Sequence, residues 1–282
     1  MPNKANIDVS YFPGCSMGAS GNESNASLLS FCKNIGFNLI ELKDWSCCGS
    51  SSAHSVDAEL AFNLATRNLA IAPSTRPLLI ACPNCLLRLR QAYIKLKNDK
   101  EYLEKYEKKW GKRFEPNLEI WHFFELIDNV DFNLEKFRKL SDLKFVSYYG
   151  CMLNRPPDMR YEKNYYGFME RILSTAGGVP VRWSYASRCC GTFLAAVRPE
   201  AVTEMVNKIM KGAIDVGAEC IVTACMMCHM NLEIRCTIKR PIPIFHLSEL
   251  LSFMSGSPIT HSSMSKHIID PMPLLRAKGL IR

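Results

Sequence analysis

The residues that could do chemistry in this chain are its cysteines. The stretch from Trp183 to Gly191 ends in Cys189-Cys190-Gly191. Adjacent cysteines rarely meet the geometry of a disulfide with one another. They can aim two thiolates at one metal assembly, and the glycine lets the backbone come close without a Cβ in the way. A single cysteine, Cys151, stands upstream, and a C-x-x-C, Cys225 and Cys228, stands downstream. The first half repeats the pattern at similar intervals as Cys15, then Cys47-Cys48-Gly49, then Cys82-x-x-Cys85. Ten of thirteen cysteines fall in these two sets. Thiolates are soft ligands that select iron–sulfur clusters or zinc. A structural zinc takes four ligands, so five cysteines per set favour a cluster, with zinc kept as an alternative for Cys15, Cys47, Cys48, Cys82 and Cys85.

Those cysteines need elements to position them, and the hydrophobic pattern supplies strands. Residues 7–12, 38–42, 78–81 and 118–121 read as strands of the first half, and residues 145–149, 179–183, 220–224 and 242–245 as strands of the second. Helical spacing covers 24–35, 57–72 and 86–110, the last broken near Asn98-Asp99, then 161–176 and 199–216. Each motif cysteine stands where an expected strand has just ended, as do His122 and His246. Cys15 corresponds to Cys151, Cys47 to Cys189 and Cys82 to Cys225, at nearly constant offset, so the halves are a duplication with small insertions. Alternating strands and helices imply an α/β fold. We expect two pseudo-repeated Rossmann-like domains, each a mainly parallel sheet flanked by helices, with ligands gathered at the carboxyl ends of the strands. Residues 1–130 and 143–255 are the expected domains, with a linker near 128–142 and a tail at 256–282.

Composition bounds the rest. The chain has 282 residues, 48% hydrophobic and 22% charged, as a globular protein of two domains would. It contains no apolar run of the ~20 residues a membrane span needs. Its first residues lack the apolar core of a signal peptide. Cysteines in these contexts then read as reduced ligands, which places the expected location in the cytoplasm, with peripheral contact at the inner membrane face. The net charge of +8 suits an acidic protein partner or an anionic surface. With no nucleic-acid motif present, nucleic acid is not expected as a partner.

His122 and His246 recur in Trp-His-Phe-Phe-Glu-Leu and Phe-His-Leu-Ser-Glu-Leu. Histidine titrates near neutrality, so each is a candidate catalytic proton donor near the sulfurs. The competing reading has each imidazole capping the helix that follows, and it carries the greater weight. His54 and His229 are weaker candidates. Arg188 could offset negative charge at the second set. Cys32, Cys220 and Cys236 fall within expected helices or strands and read as packed thiols.

Both cysteine sets resemble the cysteine-rich CCG domain. With Phe12-Pro-Gly-Cys15, Asp44-Trp-Ser-Cys-Cys-Gly49, Ala65-Thr-Arg-Asn-Leu-Ala70 and the tail Lys266-His-Ile-Ile-Asp-Pro-Met-Pro-Leu274, the chain is similar to the B subunit of heterodisulfide reductase and to the matching subunit of some succinate:quinone reductases. The resemblance implies that each five-cysteine set holds a non-cubane [4Fe–4S] cluster and that the two rims face each other to cleave a disulfide. No ferredoxin motif and no G-x-G-x-x-G is present, so electrons are expected from a ferredoxin-like iron–sulfur subunit, with a flavoprotein subunit in the same complex. The alternative is a non-catalytic electron-transfer subunit of a quinone-linked complex of the succinate:quinone or fumarate reductase type.

Overall fold

The computed structural model describes residues 7–50, 53–128, 137–154 and 165–281. The chain divides into two compact units, one of Met1–Ser20 with Gly36–Asp131, the other of Gly21–Ile35 with Phe132–Arg282. The helix α1 (Asn22–Asn34) therefore comes from the first half of the sequence but belongs to the second unit.

The first unit is built on β1 (Ile7–Phe12), β2 (Phe37–Glu41), β3 (Leu78–Ile80) and β4 (Ile120–His122), all parallel, in the order β2-β1-β3-β4. Parallel neighbours need a crossover between them. Here α1 lies between β1 and β2, α2 (Ala53–Val56) and α3 (Ala58–Ile71) lie between β2 and β3, and α4 (Pro83–Asn98) and α5 (Lys100–Trp110) between β3 and β4, while α6 (Phe123–Asp128) follows β4. The central β3 is buried along its whole length, as strands covered on both faces are. Asp57 starts α3 by accepting the Glu59 and Leu60 backbone N–H groups at 2.8 and 3.0 Å. Asp99 ends α4 and caps α5 in the same way, which gives the expected break. The helix expected from residue 86 begins three residues earlier, because Pro83 has no N–H to satisfy and is preset for a first turn. That shift matters, since it brings Cys85 into the helix.

The second unit repeats the sheet with β5 (Lys144–Tyr148), β6 (Val179–Pro180), β7 (Cys220–Thr223) and β8 (Ile244–His246), parallel, in the order β6-β5-β7-β8. Its further helices are α7 (Phe168–Thr175), α8 (Pro199–Asp215), α9 (Met226–Ile234), α10 (Leu247–Met254), α11 (His261–Met264) and α12 (Met272–Ala277). Two expectations shorten. The helix expected over 161–176 begins at Phe168, because Gly167 takes a left-handed φ of 87° just before it; residues 161–164 lie outside the described ones. The strand expected over 179–183 pairs at Val179 and Pro180 alone, proline being unable to donate to a ladder. His122 and His246, expected just beyond strands, are the last residues of β4 and β8.

Helix α1 buries Leu28, Phe31 and Cys32. The Ser248 hydroxyl at the start of α10 donates to the Ser24 carbonyl at 2.8 Å, and Asn34 donates to Ser255 and Ser257 at 3.0 Å. The C-terminal stretch is packed into this unit, with Leu275 fully buried and Lys278 paired to Glu219 at 2.6 Å.

Candidate metal centre

In each unit the five cysteines of the repeat are brought together at the carboxyl end of the sheet. Cys82 and Cys225 are the residues just before α4 and α9, and Cys85 and Cys228 sit in the first turn of those helices. A C-x-x-C astride a helix start puts both sulfurs at the end where unpaired N–H groups and the positive dipole favour thiolates. The Cys-Cys-Gly follows the edge strand on the other side. Cys47 and Cys189 each accept the N–H of the glycine two residues on, at 3.4 Å. All thirteen cysteines are free thiols.

The sulfurs touch. In the second unit Cys190 Sγ lies 3.4 Å from Cys228 Sγ and 3.1 Å from Thr192 Oγ1. Hydrogen bonding from Cys228 draws the Cys190 thiol down to about 7, against the upward push of burial. Cys228 goes the other way, raised by its bonds to Cys190 and Cys225 and by burial. Cys151 is raised by its bond to Cys189 and by burial. The first unit shows the same exchange. Cys47 is lowered by hydrogen bonds from Cys15 and Cys48, while Cys15 is raised by its bond to Cys47 and by burial. Cys48 is pushed up to about 12, first by its bond to Cys47. Each set thus packs several thiols against one that is held below its usual range, and metal binding to such thiols would displace their protons.

The backbone is fitted to those sulfurs. Gly14, before Cys15, has a left-handed φ of 72°, and a Cβ there would stand 2.8 Å from Cys85 Sγ. Gly150, before Cys151, has φ 67° and would bring a Cβ to 3.3 Å of Cys228 Sγ. Neither place admits a side chain without moving a sulfur. Five thiols, glycine-made clearance and donated N–H groups fit a thiolate-bound cluster in both units, and Cys15, Cys47, Cys48, Cys82 and Cys85, or Cys151, Cys189, Cys190, Cys225 and Cys228, are the residues that would hold it.

Two buried amides secure these loops; Asn68 lies in the Ala65–Ala70 stretch of the resemblance, but the role of neither was read from the sequence. Asn68 on α3 exchanges hydrogen bonds with the Ser46 N–H and carbonyl at 2.9 and 3.1 Å, holding the approach to Cys47. Asn231 on α9 donates to the Cys190 carbonyl at 2.7 Å. A lone amide on a helix, outside every repeated motif, has no spacing signal.

The histidines of the repeat are buried at 0% and 1% exposure for His122 and His246. Nδ1 of His246 accepts the Ser248 N–H at 3.4 Å and its backbone N–H donates to Glu249 at 2.8 Å, closing a capping box on α10. His122 does the same, accepting the Phe124 N–H at 3.4 Å and donating to Glu125 at 2.7 Å. These are the bonds of the helix-capping reading. Arg188 is exposed, with its guanidinium 5.2 Å from the Tyr185 ring centre. Cys32 and Cys220 are buried thiols, Cys32 pushed up to about 12 by burial. Cys236, expected within an element, lies beyond the end of α9 and is half-buried. His54 lines a cavity of about 880 Å³ beside α3, α4 and α5, and His229 is buried against Glu233.

Comparison with known proteins identifies the family. The cysteine-rich domain (CCG) family model matches residues 9–90 and 145–233, one stretch in each half. The chain is 30% identical to the 8-methylmenaquinol:fumarate reductase membrane anchor subunit of Wolinella succinogenes, over 95% of this chain and 99% of that protein. It is 27% identical to the B subunit of the ferredoxin/F(420)H(2)-dependent CoB-CoM heterodisulfide reductase of Methanosarcina acetivorans, over 77% of this chain and 79% of the relative. A protein of Archaeoglobus profundus, described as like the B subunit of heterodisulfide reductase, is 25% identical over 89% of this chain and 91% of its own. Among solved structures, a hypothetical protein from Helicobacter pylori superposes with a TM-score of 0.74 at 12% identity, covering 96% of this chain. The match spans about half of that chain, 53% of it, and shows a shared fold.

Proposed function

Because the chain belongs to the cysteine-rich CCG domain family, we propose that it is the iron–sulfur catalytic subunit of a heterodisulfide reductase-like complex, reducing a disulfide or forming it in reverse. The observation that carries this reading is the gathering of five free thiols at the strand ends of each unit, on one repeated backbone design. Bound there, two [4Fe–4S] clusters of the non-cubane kind would supply electrons one at a time. The reaction takes two electrons and two protons and turns one disulfide into two thiols. The chain's own residues hold the ligand sulfurs in place: the starts of α4 and α9 favour negative charge there, the Gly49 and Gly191 N–H groups meet Cys47 and Cys189, and Asn231 fixes the Cys190 backbone.

In this reading a ferredoxin-like subunit delivers the electrons and a flavoprotein subunit stands behind it. Among the described residues no helix is long and apolar enough to cross a membrane. We place the protein in the cytoplasm, with any membrane contact peripheral and at the inner face.

A second reading rests on the Wolinella relative, which matches over nearly the whole length of both chains. On it the protein passes electrons between a quinone pool and a flavoprotein without acting on sulfur. One experiment separates the two. Anaerobically purified protein is expected to hold about eight irons and as much acid-labile sulfide. With reduced viologen it is expected to turn over a disulfide; full iron without any disulfide turnover would favour electron transfer alone. Zinc in both sets without sulfide would remove both readings.

A further inference from the structure

Unit 2 carries a second group of metal-ligating side chains, made of nitrogen and oxygen donors, and the repeat shows why it is there. Five residues past the second cysteine of each C-x-x-C stand Arg90 and Glu233. In unit 1, Arg90 Nη2 lies 2.5 Å from Glu125 Oε2, and the pair is buried with its charges matched. In unit 2 the equivalent residue is an acid. Glu233 therefore joins Glu249, the counterpart of Glu125, and both carboxylates are buried.

Two imidazoles stand around them. His229 Nε2 is 3.4 Å from Glu233 Oε1, and His267 Nδ1, from the C-terminal stretch, is 3.1 Å from the same oxygen. The three ligand atoms lie within 4.8 Å of one another. The three side chains are 4%, 5% and 4% exposed in the order His229, Glu233, His267. A tetrahedral zinc with bonds of about 2.0–2.2 Å sets its donors about 3.3–3.5 Å apart, close to the two measured edges. The surroundings are those of a ligand set. His267 Nε2 meets Glu249 Oε1 at 3.2 Å, the outer carboxylate that steadies a metal-bound histidine. Glu233 Oε2 accepts the Ile268 N–H at 3.0 Å, and Glu249 is itself fixed by the Ser24 hydroxyl at 3.1 Å and the His246 N–H at 2.8 Å.

We propose that His229, Glu233 and His267 bind one first-row divalent cation, zinc by its ligand chemistry, with the fourth position left to an exogenous donor. Charge supports a divalent ion. Two buried carboxylates, Glu233 and Glu249, face this side-chain cluster, a charge that one divalent cation would balance. The ion would tie the C-terminal stretch to α9, the helix whose first turn carries Cys228. It is independent of what the cysteines hold, because its donors contain no sulfur.

The test uses anaerobic protein with its iron and sulfide measured in the same sample. Dialysis against Zn²⁺ alone is expected to load one zinc per chain whose X-ray absorption shows nitrogen and oxygen at about 2.0 Å with imidazole outer shells, where zinc held by a cysteine set would show sulfur at about 2.3 Å. His267→Gln and Glu233→Gln are each expected to lose this zinc with iron unchanged. Absence of zinc binding, a sulfur-only shell, or nitrogen-and-oxygen zinc persisting in a variant that keeps its iron would overturn the proposal. Should both variants lose iron, the wild-type spectrum decides: a shell without imidazole overturns it.

Discussion

The Ser24 hydroxyl donates to the Glu249 carboxylate at 3.1 Å across 225 residues of sequence. Both groups are buried, at 2% and 3% exposure. The bond joins a helix written in the first half of the chain to the helix that follows the last strand of the second sheet. Its neighbours Leu28 and Phe31 are fully buried. Phe31→Ala is therefore expected to cost about 3–5 kcal/mol, and to cost it in unit 2. Hydrogen exchange should show α10 losing protection while β1 and β3 keep theirs.

Gly14 tests the clearance around the first cysteine set. Gly14→Ala adds strain at φ 72° and pushes a methyl group to within 2.8 Å of Cys85 Sγ. The variant is expected to lose the iron of the first set and keep that of the second, about half the total. Gly150→Ala meets Cys228 Sγ at 3.3 Å, a contact that a small shift relieves. A weaker loss, from the second set, is expected. Iron analysis alongside the visible spectrum checks both.

The duplication raises the question of whether two sets do more than one. Reducing a disulfide needs two electrons, and iron–sulfur clusters ordinarily pass one. Cys190→Ser and Cys48→Ser each disturb one set. If the sets act as a unit, each variant is expected to lose far more than half of disulfide turnover while keeping the spectrum of the untouched set. Retention of half the activity in either variant would mean independent sites.

His246→Gln separates a cap from a proton donor. The imidazole accepts the Ser248 N–H, and the Glu249 carboxylate accepts the His246 N–H. Losing such a cap costs about 1 kcal/mol. We expect a lower melting temperature with turnover per iron unchanged across pH. Turnover that falls at neutral pH with iron and stability intact would instead assign proton donation to this residue.

What was legible in the sequence was whatever is written locally. The cysteine spacing picked out both sets, the helix expected from Asp57 and the break expected near Asn98-Asp99 are there, and Cys15, Cys82, Cys151 and Cys225 follow closely on strands as alternation implied. The partner of α1 was not legible. Its apolar residues say that one face is covered, and nothing in a helical period says by which sheet. The role of the C-terminal stretch was hidden for a related reason. The spacing of the two halves shows Glu233 where the first has Arg90, but nothing in the sequence says that His267 packs against it. The start of the helix at Phe168 turned on one glycine with positive φ, which sequence cannot distinguish from a glycine that tolerates helix.

The placement of α1 sets a schedule for the nascent chain. The helix leaves the ribosome early, yet Ser248, Glu249 and Ser257, which bind it, are made more than two hundred residues later. At ~5–20 residues per second that wait is roughly 10–45 s. Throughout it α1 lacks the α10 helix that it packs against. A helper that shields such a face, or slow translation that keeps the chain dilute, would then govern yield more than the stability of the finished protein does.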